Sequence, residues 1–197
     1  MYPVFESIQV IDASYPLLGY HIARIQRTSE FLWGHSRDMS MLLNELKQFQ
    51  HAGLFKCKVY YSLYEHRIEF SAYERKEIHS LHVIKNDEID YPFKFTDRSM
   101  FENISLNDKY SEIIFCKNGL ITDTRYSNLA LWNGLEWHTP ERPLLQGCRR
   151  ASLLDQGRLI AKNISIDDLA SYQKISLINA MLDLGEIEIE MDHVFFV

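Results

Sequence analysis

Two asparagine-glycine pairs, Asn118-Gly119 and Asn133-Gly134, each interrupt a run of apolar residues. This dipeptide readily takes the left-handed backbone of a tight hairpin turn, so each pair predicts two antiparallel strands folding back on one another. Glu112-Ile-Ile-Phe-Cys116 and Leu120-Ile-Thr-Asp123 flank the first turn, and Asn128-Leu-Ala-Leu-Trp132 leads into the second. A helix is expected from Gly147 to Gln156, closed by Gly157 as a C-terminal cap. A short helix over 167–172 has Ser165 as its candidate N-cap. Ile175–Asn179 and Glu186–Met191 read as final strands.

The first half has a different period. Val4 to Ile11 alternates like a strand. From Leu18 to about Gln50 the apolar positions recur at helical spacing, with a break near Gly34. Cys57–Leu63 and Arg67–Tyr73 read as two paired strands, and Ile78–Ile84 as a third. The polar stretch Asp87-Glu-Ile-Asp90 offers a boundary. The expected fold class is therefore mixed α/β (α+β): a small N-terminal α/β domain over 1–88 and a larger, strand-rich domain over 89–197.

Composition removes several function classes. The 197 residues carry a net charge of -6 with lysine and arginine scattered, so there is no basic footprint for nucleic acid. The longest apolar runs fall far short of a membrane span, and the start, Met1-Tyr-Pro-Val-Phe-Glu6, does not read as a signal peptide. A cytoplasmic location is the expectation. Cys57, Cys116 and Cys148 fit no disulfide framework or zinc motif, and Cys57 and Cys116 read as buried thiols. His79-x-x-His82 lacks further ligands at useful spacing, so no metal is expected.

Three segments carry chemistry. Lys94 lies between Phe93 and Phe95, Asp123 follows the first hairpin turn, and Gly147-Cys148-Arg149-Arg150 opens a helix. A lysine amine for a Schiff base, an acid facing a pyridine nitrogen and a helix N-terminus for a phosphate are what pyridoxal phosphate (PLP) needs. Each residue also has a plainer reading: Lys94 as a snorkelling lysine, Asp123 as a hairpin aspartate, Arg24 as a solvated helix arginine.

Taken in order, these segments resemble the class IV aminotransferase family of fold-type-IV PLP enzymes. That family includes branched-chain and D-amino-acid aminotransferases and 4-amino-4-deoxychorismate lyase. Lys94-Phe-Thr-Asp97-Arg98 is similar to the lyase branch's Lys-x-x-Asn-Arg. Gly119-Leu-Ile-Thr122-Asp123 with Asn128 keeps the family's Thr-Glu-x-x-x-x-Asn frame, with aspartate for glutamate. Gly147-Cys-Arg-Arg150 resembles Gly-Ile-Thr-Arg, and His21-Ile-Ala-Arg24 resembles His-x-x-Arg-Leu.

The resemblance implies Lys94 as Schiff-base lysine and acid/base, and Asp123 and Asn128 beside the cofactor ring. It implies Arg24, Gly147, Cys148 and Arg149 at the phosphate, with Asn179 in a further phosphate loop. Arg98 and Arg150 become candidates for substrate carboxylates, Arg150 near the entrance. The implied function is a PLP-dependent lyase converting 4-amino-4-deoxychorismate to 4-aminobenzoate and pyruvate in folate biosynthesis, as a homodimer. The short chain and the Asp97-Arg98 pair favour it over a branched-chain or D-amino-acid aminotransferase. Full-length members carry an extra strand and turn ahead of the segment resembling Phe5-Glu-Ser-Ile8. That difference and Asp123 motivate a further alternative, a non-catalytic PLP-fold binding protein.

Overall fold

The computed structural model describes residues 2–102, 104, 106 and 108–196. The chain divides into two compact units, Met1–Arg75 with Phe93–Asp97, and Lys76–Pro92 with Arg98–Val197.

The first unit holds β1 (Val4–Ile11), α1 (Leu18–Trp33), α2 (Ser40–Leu46), β2 (Leu54–Tyr61) and β3 (His66–Ala72). Its strands form one antiparallel sheet in the order β1-β2-β3. Strand alternation puts Val4, Ile8 and Val10 in one core with Cys57, Val59 and Tyr61, together with Ile25, Leu42 and Leu46 of the helices. The predicted break is Gly34, whose φ of 73° caps α1. Glu6 falls on the apolar face of β1, at 0% exposure.

The expected division at 88/89 and the observed one differ. The chain leaves the first unit after Arg75 and returns to it for Phe93–Asp97. An edge strand has unpaired backbone groups, and β1 is an edge. The returning segment uses them: Phe5 N–H donates to Lys94 O at 2.9 Å, Thr96 N–H donates to Pro3 O at 2.9 Å, and Val4 bridges Phe95. Phe93 and Phe95 pack on the first core. A five-residue excursion has no signature in composition, which is why a single boundary was expected.

The second unit holds β4 (Ser80–Lys85), α3 (Ser99–Glu102), β5 (Ser111–Lys117), β6 (Leu120–Thr124), β7 (Asn128–Trp132) and β8 (Trp137–Pro140). It continues with α4 (Cys148–Asp155), β9 (Ile160–Lys162), β10 (Lys174–Ile178), β11 (Glu188–Glu190) and β12 (Val194–Phe196). The expected third strand of the first domain is β4, and it lies here instead, parallel to both β5 and β12. Parallel partners are distant in sequence, so local pattern does not reveal them.

Two sheets result, β12-β4-β5-β6 and β11-β10-β7-β8-β9. Leu81, Val83, Ile114 and Ile121 of the first share a core with Leu129, Leu131, Ile175 and Leu177 of the second. Both predicted hairpins form, β5–β6 and β7–β8. At the first, Asn118 and Gly119 have φ of 51° and 77°, the double left-handed conformation its dipeptide favours. Gly157 closes α4 with φ of 67°. The short helix expected over 167–172 is a 3-10 turn over Asp167–Ser171. Its N-cap is Ile166 rather than the expected Ser165, which lies one residue earlier and accepts from Asp168 N–H through Oγ at 3.2 Å.

Candidate active site

In the first unit, Lys94 O anchors its segment to β1, and Lys94 Nζ lies 4.7 Å from the centre of the Phe5 ring. A ring face attracts an ammonium and fixes a flexible side chain. Arg24 is buried on α1 and faces Glu6. Arg24 Nε donates to Glu6 Oε1 at 2.8 Å, and Arg24 Nη2 donates to Glu6 Oε2. His21 Nδ1 lies 2.7 Å from Glu6 Oε2. A carboxylate only accepts, so the His21 proton is on Nδ1. Burial pushes the Glu6 carboxyl up, but Arg24 and His21 outweigh it and hold it at about 2.

Glu6, the buried partner of Arg24 and His21, is not among the residues singled out from the sequence. Its signal was present: an acid between Val4 and Ile8 on the core face of an alternating strand must have a buried cation.

In the second unit, β6 and β7 bring Asp123 and Asn128 together against the start of α4. Asp123 Oδ1 accepts from Asn128 Nδ2 at 2.8 Å, and Oδ2 accepts from Leu145 N–H at 2.9 Å. Burial pushes the Asp123 carboxyl up to about 7, against the pull of those two bonds and of Arg150. Gly147 is the N-cap of α4 and supplies no side-chain hydrogen bond there. The backbone amides of Cys148 and Arg149 form the first turn of α4, the end of a helix that favours an anion.

The other candidates are held by their own unit. Arg150 was expected near an entrance, but it is buried. Its Nη2 donates to Pro140 O at 2.7 Å, its Nε to Thr139 Oγ1 at 3.2 Å and its Nη1 to Gln146 Oε1 at 3.2 Å. These bonds tie α4 to β8, and the remaining charge acts on Asp123. Arg149 Nη1 pairs with Asp183 at 3.1 Å.

Arg98 donates to Arg125 O at 2.5 Å and to the Tyr91 hydroxyl at 3.2 Å. Its guanidinium also lies 4.6 Å from the Phe101 ring centre and 4.9 Å from that of Tyr126. Asn179 Nδ2 donates to Ser127 Oγ at 3.0 Å, and its Oδ1 accepts from Met181 N–H at 2.8 Å. Its amide joins two turns. His79 stacks on Tyr110, and His82 lies tilted against Phe195. Among the described residues, no helix is long and apolar enough to cross a membrane.

This architecture, with a buried acid clamped at a helix start, is that of fold-type-IV enzymes. The chain belongs to the amino-transferase class IV family, a family of PLP enzymes, whose profile matches residues 94–188. An uncharacterized protein of Haemophilus influenzae is 30% identical over 185 residues, 92% of this chain and 98% of the relative. A crystal structure described as a candidate 4-amino-4-deoxychorismate lyase of Haemophilus somnus is similar at a TM-score of 0.84 and 30% identity. It covers 93% of this chain and 98% of its own. A PLP-bound hypothetical aminotransferase of Mycobacterium tuberculosis shares the fold at a TM-score of 0.76 and 16% identity, covering 94% and 80%.

Proposed function

We propose that this protein is a PLP-dependent lyase that converts 4-amino-4-deoxychorismate to 4-aminobenzoate and pyruvate. The observation that carries the reading is the buried, proton-hungry Asp123 clamped beside the glycine that opens α4, within the segment that matches the family. The donor set suits the cofactor. An acid whose burial resists a bare negative charge suits a ring N–H⁺, and a helix start suits a phosphate. When bound, PLP supplies an aldehyde that captures amines and a ring that accepts the electrons released next to it.

The chain's own residues do the rest. Lys94 Nζ would hold the cofactor and, once free, would take the proton from the substrate's amine-bearing carbon and return one to the enolpyruvate carbon, so that pyruvate leaves. Asp123 would keep the ring nitrogen protonated. The backbone of Cys148 and Arg149 would receive the phosphate, and by the family resemblance Arg24, oriented by Glu6, would add its charge. The family resemblance supports a homodimer in the cytoplasm.

The similarity to the Haemophilus somnus protein favours the lyase over an aminotransferase. The test supplies PLP-loaded protein with 4-amino-4-deoxychorismate and no keto acid, and follows products by mass spectrometry. Equal amounts of 4-aminobenzoate and pyruvate are expected. Turnover that appears only with an added keto acid would make the protein a transaminase.

Asp123 also sets a pH dependence. Its folded-state pKa is raised from 3.8 to about 7. The apoprotein stability it contributes is full below the ordinary value and is lost as pH rises to about 7. Cofactor binding needs one proton between the ring nitrogen and Asp123. Below about pH 7 Asp123 brings it, and above about pH 7 solvent must. PLP affinity is expected to fall up to about ten-fold per pH unit above that point. In Asp123→Asn this dependence should vanish while the cofactor's own titrations remain, and equilibrium dialysis of the two proteins compares them.

A further inference from the structure

We propose that Asn128 is a positioning residue: one buried side-chain amide locks the Asp123 carboxylate to the start of α4, and Gly147 is glycine to make room for that amide. The inference rests on the PLP reading above and changes the part expected of Asn128, from touching the cofactor to holding the residue that does.

Asn128 is the first residue of β7 and is 6% exposed. Its Nδ2 carries two N–H groups. One goes to Asp123 Oδ1 at 2.8 Å and the other to Leu145 O at 2.9 Å. Leu145 N–H returns to Asp123 Oδ2 at 2.9 Å. The three residues close a ring of hydrogen bonds in which both carboxylate oxygens are held, so the carboxyl plane cannot turn. Leu144 N–H adds to these bonds, and the carboxylate, with about four acceptor directions, keeps one for a ring N–H⁺. Asparagine suits this post because an aspartate would set acceptor against acceptor at Asp123 and at Leu145 O. An alanine would leave both one donor short.

Gly147 packs directly against this amide. Its φ and ψ, -73° and 143°, are open to any residue, so backbone freedom does not call for glycine. Space does. A Cβ on residue 147 would meet Asn128 Oδ1 at 1.8 Å and Cγ at 3.0 Å. The amide cannot swing away without breaking two buried hydrogen bonds. The glycine that opens α4 is thus dictated by Asn128.

The test uses apoprotein and PLP itself. Asn128→Ala, Gly147→Ala and the double variant are titrated with PLP and melted in parallel, and Asp123 is followed by carbon-13 NMR without cofactor. Asn128→Ala should fold and bind PLP about ten-fold more weakly, the scale on which supporting hydrogen bonds act. Its Asp123 should titrate above the wild-type value of about 7, because a bond to the charged form is gone. Gly147→Ala should lose affinity and melting temperature, and adding Asn128→Ala should restore part of both.

Asn128→Ala that binds PLP like wild type with an unmoved Asp123 overturns the proposal, as does Gly147→Ala that is tolerated beside Asn128. Wild type that takes up no PLP sinks the functional reading instead. The Asp123 titration and the double variant's melting then decide the clamp without it.

Discussion

Under the proposed function, Lys94→Ala is expected to abolish turnover, by more than about four orders of magnitude, while the first unit stays folded. Proton transfer by a positioned base is worth about two to four orders of magnitude. Losing the covalent anchor adds to that. The fold should survive because Lys94 serves β1 through its carbonyl, which accepts from Phe5 N–H at 2.9 Å and which alanine retains. The side chain's approach to the Phe5 ring contributes about 0.5–1 kcal/mol, small beside the stability of a folded unit. Lys94→Arg separates charge from chemistry: it keeps a cation near that ring, but a guanidinium does not give up its proton at neutral pH. Both variants should be inactive in product assays with wild-type circular dichroism. Borohydride trapping should fix PLP on the Lys94 peptide of wild type alone. Turnover within ten-fold of wild type in either variant would move the base elsewhere.

Glu6→Ala costs about 3–5 kcal/mol, because it leaves Arg24 buried without its counter-charge. That is a large share of the roughly 5–15 kcal/mol that holds a domain together. Urea titration should show it as a lowered midpoint, with Glu6→Gln between the two proteins. The sign of the pH effect follows from the depressed carboxyl. Glu6 falls from 4.5 to about 2 on folding, so its stabilisation is full above the ordinary value and is lost as pH falls toward about 2. The size is about 3 kcal/mol. The acid limb of the stability profile should flatten in Glu6→Gln. An unchanged limb would assign acid unfolding to other carboxyls.

Much of this protein was legible as pattern. Asn118-Gly119 and Asn133-Gly134 gave both hairpins because their backbone preference is local, and α1 ended at Gly34 for the same reason. Lys94, Asp123 and Gly147 were legible by their order along the chain. Strands β9 and β12 were not, because three-residue strands have no measurable period and both are parallel to partners far away in sequence.

The sequence by itself determined which residue types are present at which spacing: a lysine after an apolar run, an acid after a glycine turn, a glycine at a helix start. Only the tertiary structure decided what each one meets. It gave Arg24 to Glu6, turned Arg150 inward onto Thr139, Gln146 and Pro140, and set Asn128 Oδ1 where residue 147 has no room for a side chain. The physical reason is that a buried charge or amide must find its partner wherever the strands bring one, and that pairing is fixed by contacts between distant segments rather than by neighbours in the chain.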